Sequence, residues 1–311
     1  MNQLFVKQEI NDRVSREQFI EDVELLFKLL KENYGMYEYY GDDTFMRARE
    51  NVLADLCMNE FDWKTGVMSL QKHLFDFIQD GHFTIGPKAQ KTEVDELPAY
   101  DYAVRYSAFH GIDVIDCKKF RYDTEEEQEE LEQFAASGER YRGDAPLIID
   151  LRDNGGGSDT YMWEFLKGLF QVEPSAPAKF VQKNSALFKE HVLMELPDME
   201  FGPEIEVFEE DGVPIISNKP IYVLINEETC SAGESSVAFL KTISSTVLVG
   251  THTGGMFVCG NCMQIYLPNS HVPAYFGTGM WLYEKTRNMD AEGGFKADIS
   301  YEEFVKKVSS V

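Results

Sequence analysis

Three short segments, "PLIIDL" ending at Leu151, "IYVLI" from Ile221 to Ile225 and "TVLVG" from Thr246 to Gly250, are apolar on consecutive positions and rich in β-branched residues. Each is too short for a helix. A strand with one face in water alternates apolar and polar residues, so uninterrupted apolar runs mean strands buried on both faces. A sheet covered on both sides needs helices between its strands, and this predicts an α/β layer fold from about Leu97 onward.

The preceding residues read differently. Ser15 and Gln18 form a capping box, and Phe19, Val23, Leu26 and Leu30 then recur at helical spacing until Gly35. Phe45, Ala48, Val52 and Leu56 make a second stripe, and Trp63, Val67, Leu70, Leu74 and Phe77 a third. Residues 1–90 are thus expected to form an N-terminal helical domain and residues 91–311 the α/β domain, two units for a chain of 311 residues. Within the second, "DTEEEQEELEQFAASG" predicts a helix capped by Thr124 and closed by Gly138, and Asp211-Gly212 predicts a two-residue hairpin turn.

The 54 acidic and 29 basic residues give a formal charge of −25, which repels phosphate backbones and anionic lipid. Neither nucleic acid nor a membrane is an expected partner. No apolar run reaches the roughly 20 residues that span a bilayer, and the first residues lack the apolar core of a secretory signal, so a cytoplasmic location is expected. The five cysteines are scattered, which favours reduced thiols.

Chemistry could sit at three places. The strand Ile221–Ile225 runs through the turn "NEETC" into Ser231, at the start of a segment compatible with a helix. Unpaired N–H groups there would stabilise an alkoxide or oxyanion, although a serine at that position is also an ordinary N-cap. Ser235 and Ser236 fall inside the helix. At "IIDLRDNGGGSDT", a second buried strand ends in three glycines whose bare N–H groups suit an oxyanion hole. A phosphate loop would need a Lys-Ser/Thr pair after the glycines, and there is none. At "FIQDGHFTIG", His82 stands at an element junction, and His252 in "GTHTGGM" competes with it as a base.

Taken in order, "DGHFTIG", "LIIDLRDNGGG", "VLINEETCSAGE", "LVGTHTGG" and "EGGFKADI" resemble the sequence blocks of the tail-specific, or C-terminal processing, serine peptidases. The resemblance implies a crotonase-like (Clp protease-like) α/β core with an N-terminal helical region, and endopeptidase activity on peptide or unfolded protein without a cofactor. By carry-over Ser231 is the nucleophile, and the N–H groups of Gly156 and Ala232 are the oxyanion donors, with Gly157 as a secondary candidate. Glu234 is assigned to the geometry of the helix start.

Two departures shape the expected mechanism. The bacterial processing proteases use a lysine base just after "TGG", where this sequence has Met256, and a thioether cannot accept the serine proton. The resemblance then points to the branch similar to the tricorn core protease and the retinoid-binding repeats, with His82 as base and Glu292 as its carboxylate. In that branch a serine precedes the histidine and relays the glutamate, whereas Gly81 stands there here. The chain between His82 and Asp150 is too short for a PDZ domain, and none is expected. The rival reading is a catalytically silent protein on the same fold that binds peptides or hydrophobic ligands. Finally, "VCGNCM" predicts a hairpin turn at Gly260-Asn261 flanked by Cys259 and Cys262, with a metal site at the two cysteines as the weaker alternative.

Overall fold

The computed structural model describes residues 2–58, 60–87, 100–176, 178–209, 213–283 and 288–309. The expected turn at Asp211-Gly212 and the expected boundary after residue 90 lie outside the described residues. In chain order the elements are α1 (Arg16–Asn33), α2 (Tyr37–Tyr40), α3 (Asp42–Met58), α4 (Trp63–Phe75), β1 (Thr84–Ile85), β2 (Val104–Phe109), β3 (Ile112–Cys117), α5 (Glu125–Ala136), β4 (Leu147–Asp150) and α6 (Thr160–Phe170). There follow β5 (Ala178–Lys183), α7 (Ala186–Glu195), β6 (Ile205–Glu209), β7 (Ile221–Ile225), α8 (Ala232–Leu240), β8 (Thr246–Gly250), β9 (Cys259–Tyr266), β10 (Pro273–Tyr283) and α9 (Tyr301–Ser309). This is a mixed α/β fold with a helical N-terminal region. Among the described residues no helix is long and apolar enough to cross a membrane.

The chain divides into two compact units. The first gathers Met1–Lys91, Phe180–Phe208 and Cys259–Trp281, and the second Thr92–Lys179, Glu209–Val258 and Leu282–Val311. Helices α1 to α4 therefore share their unit with strands from far along the chain.

The first unit carries a sheet of order β1-β10-β5-β6, with β9 also paired to β10. Helix α1 begins at the Ser15–Gln18 capping box and buries Phe19, Val23, Leu26 and Leu30. Its Asp22, fully buried, accepts the N–H of Asn269 at 3.0 Å and that of Ser270 at 2.7 Å, tying the helix to the turn between β9 and β10. Tyr34, at the C-cap of α1, packs against Phe45, Phe83 and Phe276.

The expected turn at Gly260-Asn261 is not present, because these residues lie inside β9. Cys262 pairs with Gly277 and Gly260 with Gly279, so the same antiparallel register holds on either side of Asn261. Asn261 does adopt φ 52°, which asparagine tolerates, but its side-chain amide donates to Gln182 at 2.7 Å and its carbonyl accepts from Thr278, so the strand continues. The chain reverses later, where Leu267 donates to the carbonyl of Val272 and His271 to that of Leu267.

The second unit carries the sheet β2-β3-β4-β7-β8, in which β3, β4, β7 and β8 are parallel and β2 is an antiparallel edge. Every residue of β4 and of β7 is buried, as their apolar runs require. Ile148, Tyr222, Leu224 and Val249 pack against Phe304 and Val308 of α9, while Phe134 of α5 stacks between Phe120 and Phe165. Thr124 caps α5 through the N–H of Glu127.

Removing the Asp22 carboxylate takes the acceptor from the buried Ser270 N–H and the part-buried Asn269 N–H. Asp22→Ala is expected to destabilise the protein by about 1–3 kcal/mol, read as a lower urea midpoint with an unchanged slope.

Candidate functional site

In a parallel sheet the loops leaving the C-terminal strand ends converge, and side chains there can be held by both backbones. Strands β4 and β7 are direct neighbours, with Asp150 opposite Leu224. The loops that follow them are joined by reciprocal bonds. Asn226 donates to Asp153 Oδ1 at 2.7 Å and accepts the Asp153 N–H at 2.9 Å. Thr229 Oγ1 donates to the Leu151 carbonyl at 2.8 Å, and the Cys230 N–H to that of Asn154 at 2.9 Å. The serine turn and the glycine loop are thereby fixed to each other before any ligand arrives.

Ser231 sits at the end of this turn with φ 54° and ψ −121°, directly before α8. A non-glycine residue with positive φ is uncommon and is strained when it falls outside the small left-handed helical region, as this ψ does. Ser231 occupies the N-cap position of α8, as one reading of the sequence expected, but its hydroxyl makes no capping hydrogen bond. Gly156, at φ 101°, lies against it so closely that an added Cβ would stand 2.7 Å from Ser231 Cβ.

The oxyanion expectation needs one correction. The N–H of Gly156 donates to Asn154 Oδ1 at 2.9 Å and is not presented to a substrate in this conformation. The reason is local: buried Asn154 anchors its amide nitrogen on the Cys117 carbonyl at 3.0 Å, which turns its oxygen back onto the loop. Gly157 is oriented differently. The bonds from Phe120 N–H to Gly156 O and from Ser158 N–H to Phe120 O turn the Gly157 N–H away from Phe120. A Cβ on Gly157 would meet the Phe120 carbonyl at 2.0 Å. Ala232 opens α8, where N–H groups lack intrahelical acceptors.

Every residue of α8 is buried, including Glu234. The Glu234 carboxylate accepts from Thr253 Oγ1 at 2.5 Å, from the Gly255 N–H at 3.1 Å and from the Met256 N–H at 2.6 Å. Burial raises its pKa above the usual carboxylate value, and these bonds oppose the rise. Thr253 in turn accepts the Phe295 N–H at 2.7 Å and donates its own N–H to the Phe295 carbonyl at 2.9 Å. One carboxylate thus holds the segment bearing Met256 to α8 and, through Thr253, anchors the turn that carries Glu292. Glu292 itself is exposed, in a turn closed by its N–H on the Met289 carbonyl at 3.1 Å. Sequence reading missed the role of Asn154 and gave Glu234 only a general one. Their signals were an Asn directly before the glycines and a Glu in the first turn of an apolar helix.

In the first unit, His82 is 6% exposed and follows a turn closed by its own N–H on Asp80 Oδ1 at 2.9 Å. The ring Nδ1 lies 3.8 Å from the same oxygen, and Asp80 Oδ2 accepts the Tyr34 hydroxyl at 2.9 Å. Burial lowers the His82 pKa below the ordinary 6.5, against the opposing pull of Asp80, so the imidazole is neutral at pH 7.

The other candidates are engaged elsewhere. His252 Nδ1 donates to the Thr253 carbonyl at 2.8 Å while its Nε2 lies 3.8 Å from Glu227. Ser236 donates to the Ala232 carbonyl at 2.7 Å, and Ser235 bonds Asp159. Burial, then the charge of Glu234, pushes the Cys230 thiol up to about 12, so it is a neutral thiol at pH 7. Cys259 is buried, Cys262 is hydrogen-bonded with Tyr275, and among the described residues no three His, Cys, Asp or Glu side chains are grouped to hold a metal.

The two glycines before the serine contact give opposite expectations. Gly156→Ala should destabilise by about 1–3 kcal/mol, because it adds strain and a clash with Ser231. Gly155→Ala, which meets nothing within 4 Å, should be neutral or slightly stabilising. Thermal unfolding of the two variants checks both.

The Peptidase family S41 model matches residues 104–301. Comparison with curated proteins yields no match. Among solved structures, mature CPAF is similar with a TM-score of 0.63 at 12% identity, over 94% of this chain and 96% of that one. A lipoprotein from Streptococcus agalactiae gives 0.56 at 13% identity, over 94% and 95% of the two chains. The photosystem II D1 C-terminal processing protease gives 0.52 at 11% identity, over 92% of each. At such identities these likenesses are of fold, but the family match spans well over half of the sequence and contains the glycine loop, the serine turn and the Thr253 segment: the chain belongs to peptidase family S41, the tail-specific serine peptidases.

Proposed function

We propose that the protein is a serine endopeptidase in which Ser231 attacks the scissile carbonyl and His82 accepts its proton and returns it to the leaving amine. The observation that carries the reading is the strained Ser231 backbone at the start of α8, with its hydroxyl withheld from capping and a glycine packed against its Cβ. Strain of this kind persists where surrounding structure imposes it, and it is concentrated at functional sites. A neutral, buried imidazole is the form a general base needs. The Ala232 and Gly157 N–H groups are assigned to the oxyanion, each worth about 3 kcal/mol of barrier. Met256 leaves histidine as the base, since its thioether takes no proton. Glu292 keeps the role of carboxylate for the charge developing on His82, but as a solvated group it contributes weakly.

The second reading, a peptide-binding protein without catalysis, is favoured by one observation, the bond from the Gly156 N–H to Asn154. The same experiment separates the two. On a peptide library, Ser231→Ala should lower cleavage on the order of a million-fold relative to wild type, and a fluorophosphonate should label Ser231. Equal binding with no cleavage by either protein would establish the silent reading.

The pH profile follows from His82. The base works when neutral, that is, above its pKa, and this pKa lies below 6.5. The profile of kcat/KM should therefore stay flat as pH falls to about 6.5 and drop only at lower pH. An acid limb centred above pH 7 would remove His82 from the mechanism. Glu292→Gln should cost less than about tenfold in kcat, as expected for a solvent-screened charge.

A further inference from the structure

We propose that Asp80 is the positioning residue for His82, holding the imidazole with its proton on Nδ1 and facing the positive charge that forms when Nε2 takes the Ser231 proton. The inference rests on the reading of His82 as the base, and it gives the carboxylate role chiefly to a neighbour in the same turn rather than to Glu292.

The Asp80 side chain is fully excluded from solvent. Its Oδ1 holds the His82 N–H at 2.9 Å and lies 3.8 Å from Nδ1, while Oδ2 takes the hydroxyl of Tyr34 at 2.9 Å. A turn-closing residue needs only the first of these contacts, and asparagine or serine supplies it equally well. A second carboxylate oxygen, buried beside Tyr34 and its ring neighbours Phe45, Phe83 and Phe276, is not required by the turn.

A buried carboxylate is unfavourable unless donors and an opposite charge face it. Tyr34 supplies a neutral donor. The other titratable groups coupled to Asp80, Cys262 and Tyr275, are also neutral at pH 7, because burial pushes the thiol up to about 12 and the phenol higher. Of the groups named around Asp80, the one that becomes a cation during the proposed reaction is His82. The separation of 3.8 Å is one small ring movement from a hydrogen bond, and such bonds commonly tighten only when substrate binds.

The test uses Asp80→Asn and Asp80→Ser, which keep an acceptor for the His82 N–H and remove the charge, with Tyr34→Phe, which keeps the charge. Both Asp80 variants should lose about 10²- to 10⁴-fold in kcat with KM changed less than threefold, while Tyr34→Phe loses less than tenfold. Their residual kcat/KM should show its acid limb about one pH unit lower, because the charge that favours the imidazolium is gone. Full activity in both Asp80 variants, alongside inactive Ser231→Ala and His82→Ala, would overturn the assignment of Asp80 and leave the peptidase reading intact. Ser231→Ala as active as wild type would overturn Ser231 as the nucleophile, and His82→Ala as active as wild type would overturn the assignment of the base on which this inference rests. Histidine ring ¹⁵N spectra of the wild type, with His82→Gln for assignment, decide Asp80 even if its variants fail to fold. A proton on Nδ1 of His82 supports the proposal, and a proton on Nε2 at neutral pH refutes it.

Discussion

The exchange of hydrogen bonds between Asn226 and Asp153 joins the loops that leave two neighbouring parallel strands. Everything else at the serine depends on that junction. Thr229 and Cys230 complete it by bonding the carbonyls of Leu151 and Asn154, so Ser231 is delivered into its strained conformation by a turn that cannot relax independently. A positive φ at a serine is unfavourable taken alone, and it is maintained because several bonds and a fully buried helix are committed around it.

Glu234 extends the same logic outward. A single buried carboxylate satisfies a hydroxyl and two N–H groups of the segment after β8, and Thr253 passes the connection to Phe295. Three sequence blocks far apart in the chain become one rigid set. The backbone of Met256, directly after the two glycines, is held by this carboxylate, and its thioether side chain takes no proton.

Much of this was legible beforehand. The consecutive apolar runs marked β4, β7 and β8, the helical stripes marked α1, α3 and α4, and the Ser15 and Thr124 caps fell where expected, because local spacing and capping chemistry decide these features. The Gly260-Asn261 turn failed for the opposite reason. Its local signal was good, but pairing with β10 along the full strand outweighed the preference of two residues for reversal. The Gly156 donor failed because a side chain two positions earlier competes for the same N–H, and glycine content does not reveal orientation.

The sequence by itself determined the class of fold and the order of its buried strands and helical stripes, since periodicity and residue type are properties of short stretches. Only the tertiary structure decided which N–H groups are available, that Glu234 binds the segment after β8, that Asp80 lies buried beside the His82 ring, and that the N-terminal helices share a unit with β9 and β10. These are contacts between residues distant in the chain or settled by side-chain direction. Their free energy comes from burial and hydrogen bonding that exist only once the chain has closed on itself.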